Sequence, residues 1–130
     1  MLTAKKILEK TYAYGISTID EDGFPKTLIL SSVMSRFGFA TLYFYVTKES
    51  ETVKNILKNP RGSISCYAEL EMGRLTTLNL KGTFTLVELD EVEEVAEQAA
   101  AFNKKLNYTD PCVLLFETLS FEAEEIKKIR

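Results

Sequence analysis

The hydrophobic positions of this chain fall in short blocks, and the spacing inside most of them has the period of a strand rather than a helix. Tyr12 to Ile19 (YAYGISTI) reads as a first strand, and Asp20, Glu21, Asp22 and Gly23 supply an Asp-Gly turn signal before Pro25. The next run, Lys26 to Met34, would close a hairpin; Leu28, Ile29 and Leu30 stand in sequence in its middle, and Ser31 and Ser32 make its end polar. Arg36 to Gly38 then turns the chain into a third strand, Leu42 to Val46 (LYFYV), which has no polar position facing either way. A strand of that kind is expected to be covered on both faces.

Past the aromatic strand the period changes. Thr47 and Ser50 are both residue types that cap helix starts, and a short helix is expected between them and Pro60. Gly62 to Ala68 alternates Ile64, Cys66 and Ala68 against Ser63, Ser65 and Tyr67, as a half-buried strand does. Glu71 to Arg74 is a turn, and Leu75 to Val87 is a long strand whose internal Gly82 suggests the bend or bulge that lets a sheet curl. Two further helices are predicted. Thr3 to Lys10 carries Ile7 and Leu8 among charged neighbours, and Asp90 with Glu93 opens a stripe of Val92, Val95, Ala96, Ala99, Phe102 and Leu106. Cys112 to Leu119 and Phe121 to Ile129 read as one or two closing strands. About six strands with helices after the third and fifth predict a small, mostly antiparallel barrel.

Composition narrows what such a barrel could do. The 130 residues are expected to form one domain, residues 1–130. A net charge of −3 spread along the sequence argues against nucleic acid or an anionic membrane surface as partner. There is no signal-type apolar region near Met1 and no apolar run approaching ~18 residues, so a cytoplasmic location is expected. Cys66 and Cys112 lie far apart inside strand-like runs, as buried reduced thiols do. The chain has no histidine, which removes the usual general base of Ser and Cys nucleophiles and the commonest metal ligand. The acidic cluster at Glu88, Asp90, Glu91, Glu93 and Glu94 falls where a helix begins and complements its dipole, so no metal site is expected.

The stretch with chemical promise is Thr41 to Pro60 (TLYFYVTKESETVKNILKNP), where the aromatic strand runs directly into a helix start. The first backbone N–H groups of a helix have no partner inside it and point toward where an anion, commonly a phosphate, can sit. On spacing alone the favoured reading is the plain one, in which Thr47 or Ser50 merely caps a surface helix.

The order of elements, together with STIDEDGFPKT, TLYFYVTKESETVKNILKNPRGSIS and LNLKGTFTLVELDEVEE, resembles the pyridoxamine 5'-phosphate oxidase-like FMN-binding split barrel superfamily, which includes general stress proteins. The resemblance implies a six- to seven-stranded antiparallel split β-barrel, a homodimer, FMN as cofactor and flavin-dependent oxidoreductase activity on a small molecule. The family's Ser-x-Lys pair at the helix start, which meets the flavin phosphate, matches Ser50 and Thr52, so threonine stands in place of lysine. The arginine that the second hairpin strand presents to the phosphate matches Leu28 by spacing. Thr47, Lys48 and the backbone after Val46 match positions lining the cofactor, and Leu30 and Ser31 match positions bordering the flavin ring. Lys48, Lys54 and Arg61 are candidate substitutes for the two missing cations, while Glu49 and Glu51 would repel a phosphate at the same turn. The resemblance therefore leaves two readings: a flavin-dependent oxidoreductase, or a split-barrel binding module that holds a deazaflavin, a nucleotide or a protein partner.

Overall fold

The computed structural model describes residues 6–8, 11, 13–30, 33–37, 40–91, 101 and 104–127. Seven strands form one sheet: β1 (Tyr14–Ile19), β2 (Pro25–Leu30), β3 (Val33–Phe37), β4 (Thr41–Thr47), β5 (Arg61–Glu71), β6 (Arg74–Val87) and β7 (Pro111–Lys127). The helix α1 (Glu51–Lys58) follows β4, and a single 3-10 turn (Leu89–Glu91) follows β6. Every strand pairs antiparallel with its neighbours, in the order β2-β1-β5-β6-β7-β4-β3. The architecture is mostly β, a curled antiparallel sheet of the split-barrel kind.

Local chemistry explains most of the boundaries. At the β1–β2 turn the Asp20 carboxylate accepts N–H bonds from Asp22 and Phe24, both at 2.9 Å, and Gly23 adopts a left-handed φ of 84°. The β5–β6 turn repeats the device with Gly73 at φ 76°. The bend foreseen at Gly82 is real, but the extra residue sits on the facing strand. Lys81 pairs with Ser120 and Gly82 with Thr118, which leaves Leu119 of β7 unpaired as a bulge. Before the bulge β7 pairs with both β4 and β6; beyond it β7 pairs with β6 alone, which opens the barrel on that side.

The main core lies on the concave side. Tyr14 and Ile16 of β1, Leu42, Phe44 and Val46 of β4, Ile64 of β5, Leu78 and Leu80 of β6, and Leu114 and Phe116 of β7 all point there, joined by Ile7 and Leu8 and by Val53 and Ile56 of α1. Cys66 and Cys112 are buried in the same core and unbridged. A second, smaller cluster sits on the opposite face of β4, where Tyr43, Tyr45 and Val113 are covered by Val87, Tyr108 and Leu115. The aromatic strand is thus buried on both sides, as its pattern requires, and the chain itself supplies the second cover.

Two expectations need correction or restriction. Lys26 to Met34 is two elements: β2 ends at Leu30, and β3 starts at Val33 and pairs with β4 rather than continuing the first hairpin. Ser31 and Ser32 stand at the break, but without glycine or proline two serines mark a strand end no more plainly than they mark a polar stretch inside one strand. The helix expected from Asp90 lies mostly outside the described residues, with Ala101 and residues 104–106 helical. The described part of the N-terminal helix is residues 6–8. No helix among the described residues is long and apolar enough to cross a membrane.

Candidate functional site

The corner between β4 and α1 is built by a chain of local bonds. Ser50, in extended conformation, is the N-cap: its Oγ accepts the Val53 N–H at 3.2 Å, and its own N–H donates to Thr47 O at 3.1 Å. Thr47 Oγ1 accepts the Glu49 N–H at 3.4 Å, which closes the turn. The capping alternative left open by sequence therefore resolves to Ser50.

α1 shows the core Thr52, Val53, Asn55 and Ile56 and shows solvent Glu51, Lys54, Leu57 and Lys58. It is fastened to the first hairpin at three points. In the middle, Asn55 Nδ2 donates to Thr18 Oγ1 at 3.2 Å, with both residues buried. At the helix end Lys58 pairs with Glu21 at 3.3 Å, and at the helix start Lys26 of β2 pairs with Glu51. Lys26 is thus a cation that β2 brings to the first turn of α1. Sequence reading missed it, although alternation along β2 puts Lys26 on the strand face of Leu28 and Leu30, and register in one hairpin cannot say which of the three meets a helix formed later in the chain.

The predicted site residues fall into three groups. Thr47 and Ser50 lie at the corner and shape it. Lys48 is turned to other work: its ammonium pairs with Glu88 at 2.5 Å and Asp110 at 3.8 Å, and its N–H donates to Asp110 O at 2.9 Å. The hydrogen bond to Glu88 raises the Lys48 pKa above the ordinary lysine value, against an opposing effect of burial and with the Asp110 and Glu88 charges adding to the rise. Val46 is 4% exposed in the main core, and Thr52 is 7% exposed under the helix, so neither side chain faces solvent at the corner. Leu28 and Leu30 are half-buried on β2, Leu30 against the main core, and Ser31 lies outside the described residues. Of the substitute cations, Lys54 is exposed on α1, and Arg61 starts β5 past the C-terminal end of a helix about 12 Å long.

As a donor set the corner suits an oxyanion: one ammonium from β2, and the first-turn N–H groups other than that of Val53, which Ser50 Oγ already takes. Two glutamates, Glu49 and Glu51, sit at the same turn.

A second concave feature lies on the convex side of the sheet. Gly15 of β1 leaves a floor without a side chain, flanked by Ile29 of β2 and Tyr67 of β5, which are 64% and 63% exposed. The cleft has a volume of about 550 Å³. Two side-chain hydrogen bonds line it, Ser17 with Thr27 at 2.8 Å and Ser65 donating to Asn79 Oδ1 at 2.6 Å.

Comparison with known proteins agrees with this architecture. A FAD-binding protein from Mesorhizobium loti superposes on 95% of this chain and 91% of its own, with a TM-score of 0.75 and 15% identity. A protein related to general stress protein 26, from Clostridium acetobutylicum, covers 97% of this chain and 92% of its own at TM-score 0.73 and 13% identity. An F420 reductase covers 91% and 94% at TM-score 0.68 and 16% identity. At such identities these likenesses speak for the fold alone. No curated protein matches the chain in sequence. The model of the pyridoxamine 5'-phosphate oxidase family matches residues 3–129, nearly the whole length, and the chain belongs to that family.

Proposed function

We propose that the chain binds a flavin, FMN in the first instance, with the phosphate end at the corner between β2 and α1, and that it works as a cytoplasmic homodimer in flavin-dependent oxidoreduction of a small molecule. The observation that carries this reading is the placement of Lys26 at the first turn of α1, where a cation and a helix N-terminus converge on one point. Family membership supports it, as do the FAD-binding protein and the F420 reductase among the structural neighbours.

When bound, the flavin supplies the electron-carrying chemistry. The chain's own residues bind and orient. Ser50 fixes the helix start, Lys26 contributes charge to the phosphate, and the Asn55–Thr18 bond holds α1 at a set distance from β1. The exposed Ile29 and Tyr67 around the Gly15 cleft form an apolar face that a second copy of the chain would cover.

The second reading, a binding module for a deazaflavin or nucleotide with weak hold on FMN, has its own support: Thr52 is buried rather than presented, and Lys26 is already engaged by Glu51. The experiment is a visible absorbance spectrum of freshly purified protein combined with thermal melting in excess FMN. A yellow protein, or a melting point raised by FMN in the parent chain and not in Thr47→Glu or Lys26→Met, is expected. A colourless protein with an unmoved melting point refutes the flavin reading.

A further inference from the structure

Building on the flavin reading above, we infer that Glu51 makes the corner select its ligand by charge: its carboxylate occupies Lys26, so a phosphate reaches that ammonium only by displacing it.

Three observations carry the inference. First, Lys26 and Glu51 are paired while both side chains remain about half exposed, at 48% and 57%, so the pair lies open to an incoming anion. Such exposed pairs are weakly held and exchange readily. Second, the pair is not needed to keep the helix in place. The buried Asn55–Thr18 hydrogen bond and the Lys58–Glu21 pair tie α1 to the same hairpin independently. Third, among the described residues Lys26 is the cation that the structure places against the first turn. Glu49 adds a second negative charge, Lys48 is held by Glu88 and Asp110, and Lys54 stands one turn further along the helix.

A phosphomonoester carries nearly two negative charges at neutral pH. At this corner it meets one ammonium, already matched, and two carboxylates. The attraction that a bare lysine at a helix start offers to such a group is largely cancelled while Glu51 is ionised. The corner therefore gives a phosphomonoester dianion little advantage over an uncharged flavin, and it would give more if Glu51 were neutral. Glu51 is in this sense a specificity-determining residue.

The test compares riboflavin with FMN, which differ by the phosphate. Affinities are measured by quenching of flavin fluorescence for the parent chain, Glu51→Gln, and the double variant Lys26→Met/Glu51→Gln, each checked for parent-like circular dichroism. In the parent, FMN is expected to bind no more than about tenfold tighter than riboflavin; Glu51→Gln should widen that ratio by roughly fivefold or more, through FMN alone, and the added Lys26→Met should abolish the gain. If both flavins bind and Glu51→Gln leaves the ratio unchanged, the inference falls while the flavin reading stands. If neither flavin binds the parent or Glu51→Gln, the flavin reading is lost and the inference goes with it.

Discussion

Tyr45 of β4 and Tyr108, just ahead of β7, stack with ring centroids 5.3 Å apart and planes 9° from parallel. This pair decides what the aromatic strand is for. Tyr45 is 2% exposed, and Tyr43 and Val113 complete the cluster, so the second face of β4 is closed by the chain's own residues rather than held ready for a ligand ring. Exposed apolar side chains lie elsewhere, among them Ile29 and Tyr67 toward the other end of the sheet. Tyr108→Ala should strip the cover from Tyr45 and lower stability by about 2 to 4 kcal/mol, read as a shift of the urea midpoint at unchanged slope. Burial, then Tyr108 and Cys112, raise the Tyr45 pKa above the ordinary phenol value. In a spectrophotometric titration the parent should therefore show a late-ionising tyrosine that the variant brings back toward the rest.

Cys112 sets a second pH effect. Burial pushes its thiol up from 9.0 to about 11, with Lys48 pulling it down and Glu88 and Asp110 adding to the rise. The folded state thus keeps a proton that the unfolded chain has already released, and stability falls as pH rises between about 9 and 11. Below that window both states hold the proton and the thiol contributes no pH dependence. A shift of this size is worth at most roughly 3 kcal/mol across the window. Urea midpoints taken at pH 8 and pH 10.5 should fall less for Cys112→Ala than for the parent, and an unchanged difference refutes the assignment.

The hairpins, the turn glycines and the two-sided burial of β4 were legible in the sequence because each depends on residues adjacent along the chain. Asp20 and Gly23 carry their turn in themselves, and LYFYV carries its burial. The break between β2 and β3 was not legible, since Ser31 and Ser32 read as the polar end of one strand, and it is the pairing of Val33 with Phe44 that makes Val33 to Phe37 a separate one. At the candidate site, the capping type of Ser50 was visible, but the roles of Lys26 and Lys48 were not. Each depends on a partner far away in sequence: Lys26 on Glu51 at the start of α1, and Lys48 on Glu88 and Asp110. Spacing can nominate a lysine, yet it cannot say which carboxylate already holds it.

The Asn55–Thr18 hydrogen bond is expected to behave as a coupled unit. Both side chains are buried, at 3% and 1% exposure, so removing one leaves the other with an unmet polar group. Asn55→Ala and Thr18→Val should each cost about 1 to 3 kcal/mol, and the double variant should cost clearly less than their sum. Additive losses in that double-mutant cycle would show that the bond contributes nothing as a pair. Because the bond sets the position of α1, Asn55→Ala should also weaken whatever the corner binds.

Gly82 provides the sharpest structural test. It pairs directly with Gly62 across β5 and β6, and β7 crosses it so closely that an added Cβ would lie 2.0 Å from Glu117 O and 2.7 Å from the Phe116 ring tip. The nearest obstacle is backbone, which cannot swing aside as a side chain does, and it lies just before the Leu119 bulge that ends pairing with β4. Gly82→Ala must therefore push β7 away from β6 or flatten the bend, at a cost of roughly 3 kcal/mol or more. Gly23→Ala makes the useful contrast. Its backbone is left-handed, but nothing lies within 4 Å of the added carbon, so the cost is strain alone, about 1 to 2 kcal/mol. Thermal melts of the two variants should rank Gly82→Ala well below Gly23→Ala. The reverse order would mean that the sheet is not drawn together at Gly82 as the strand register requires.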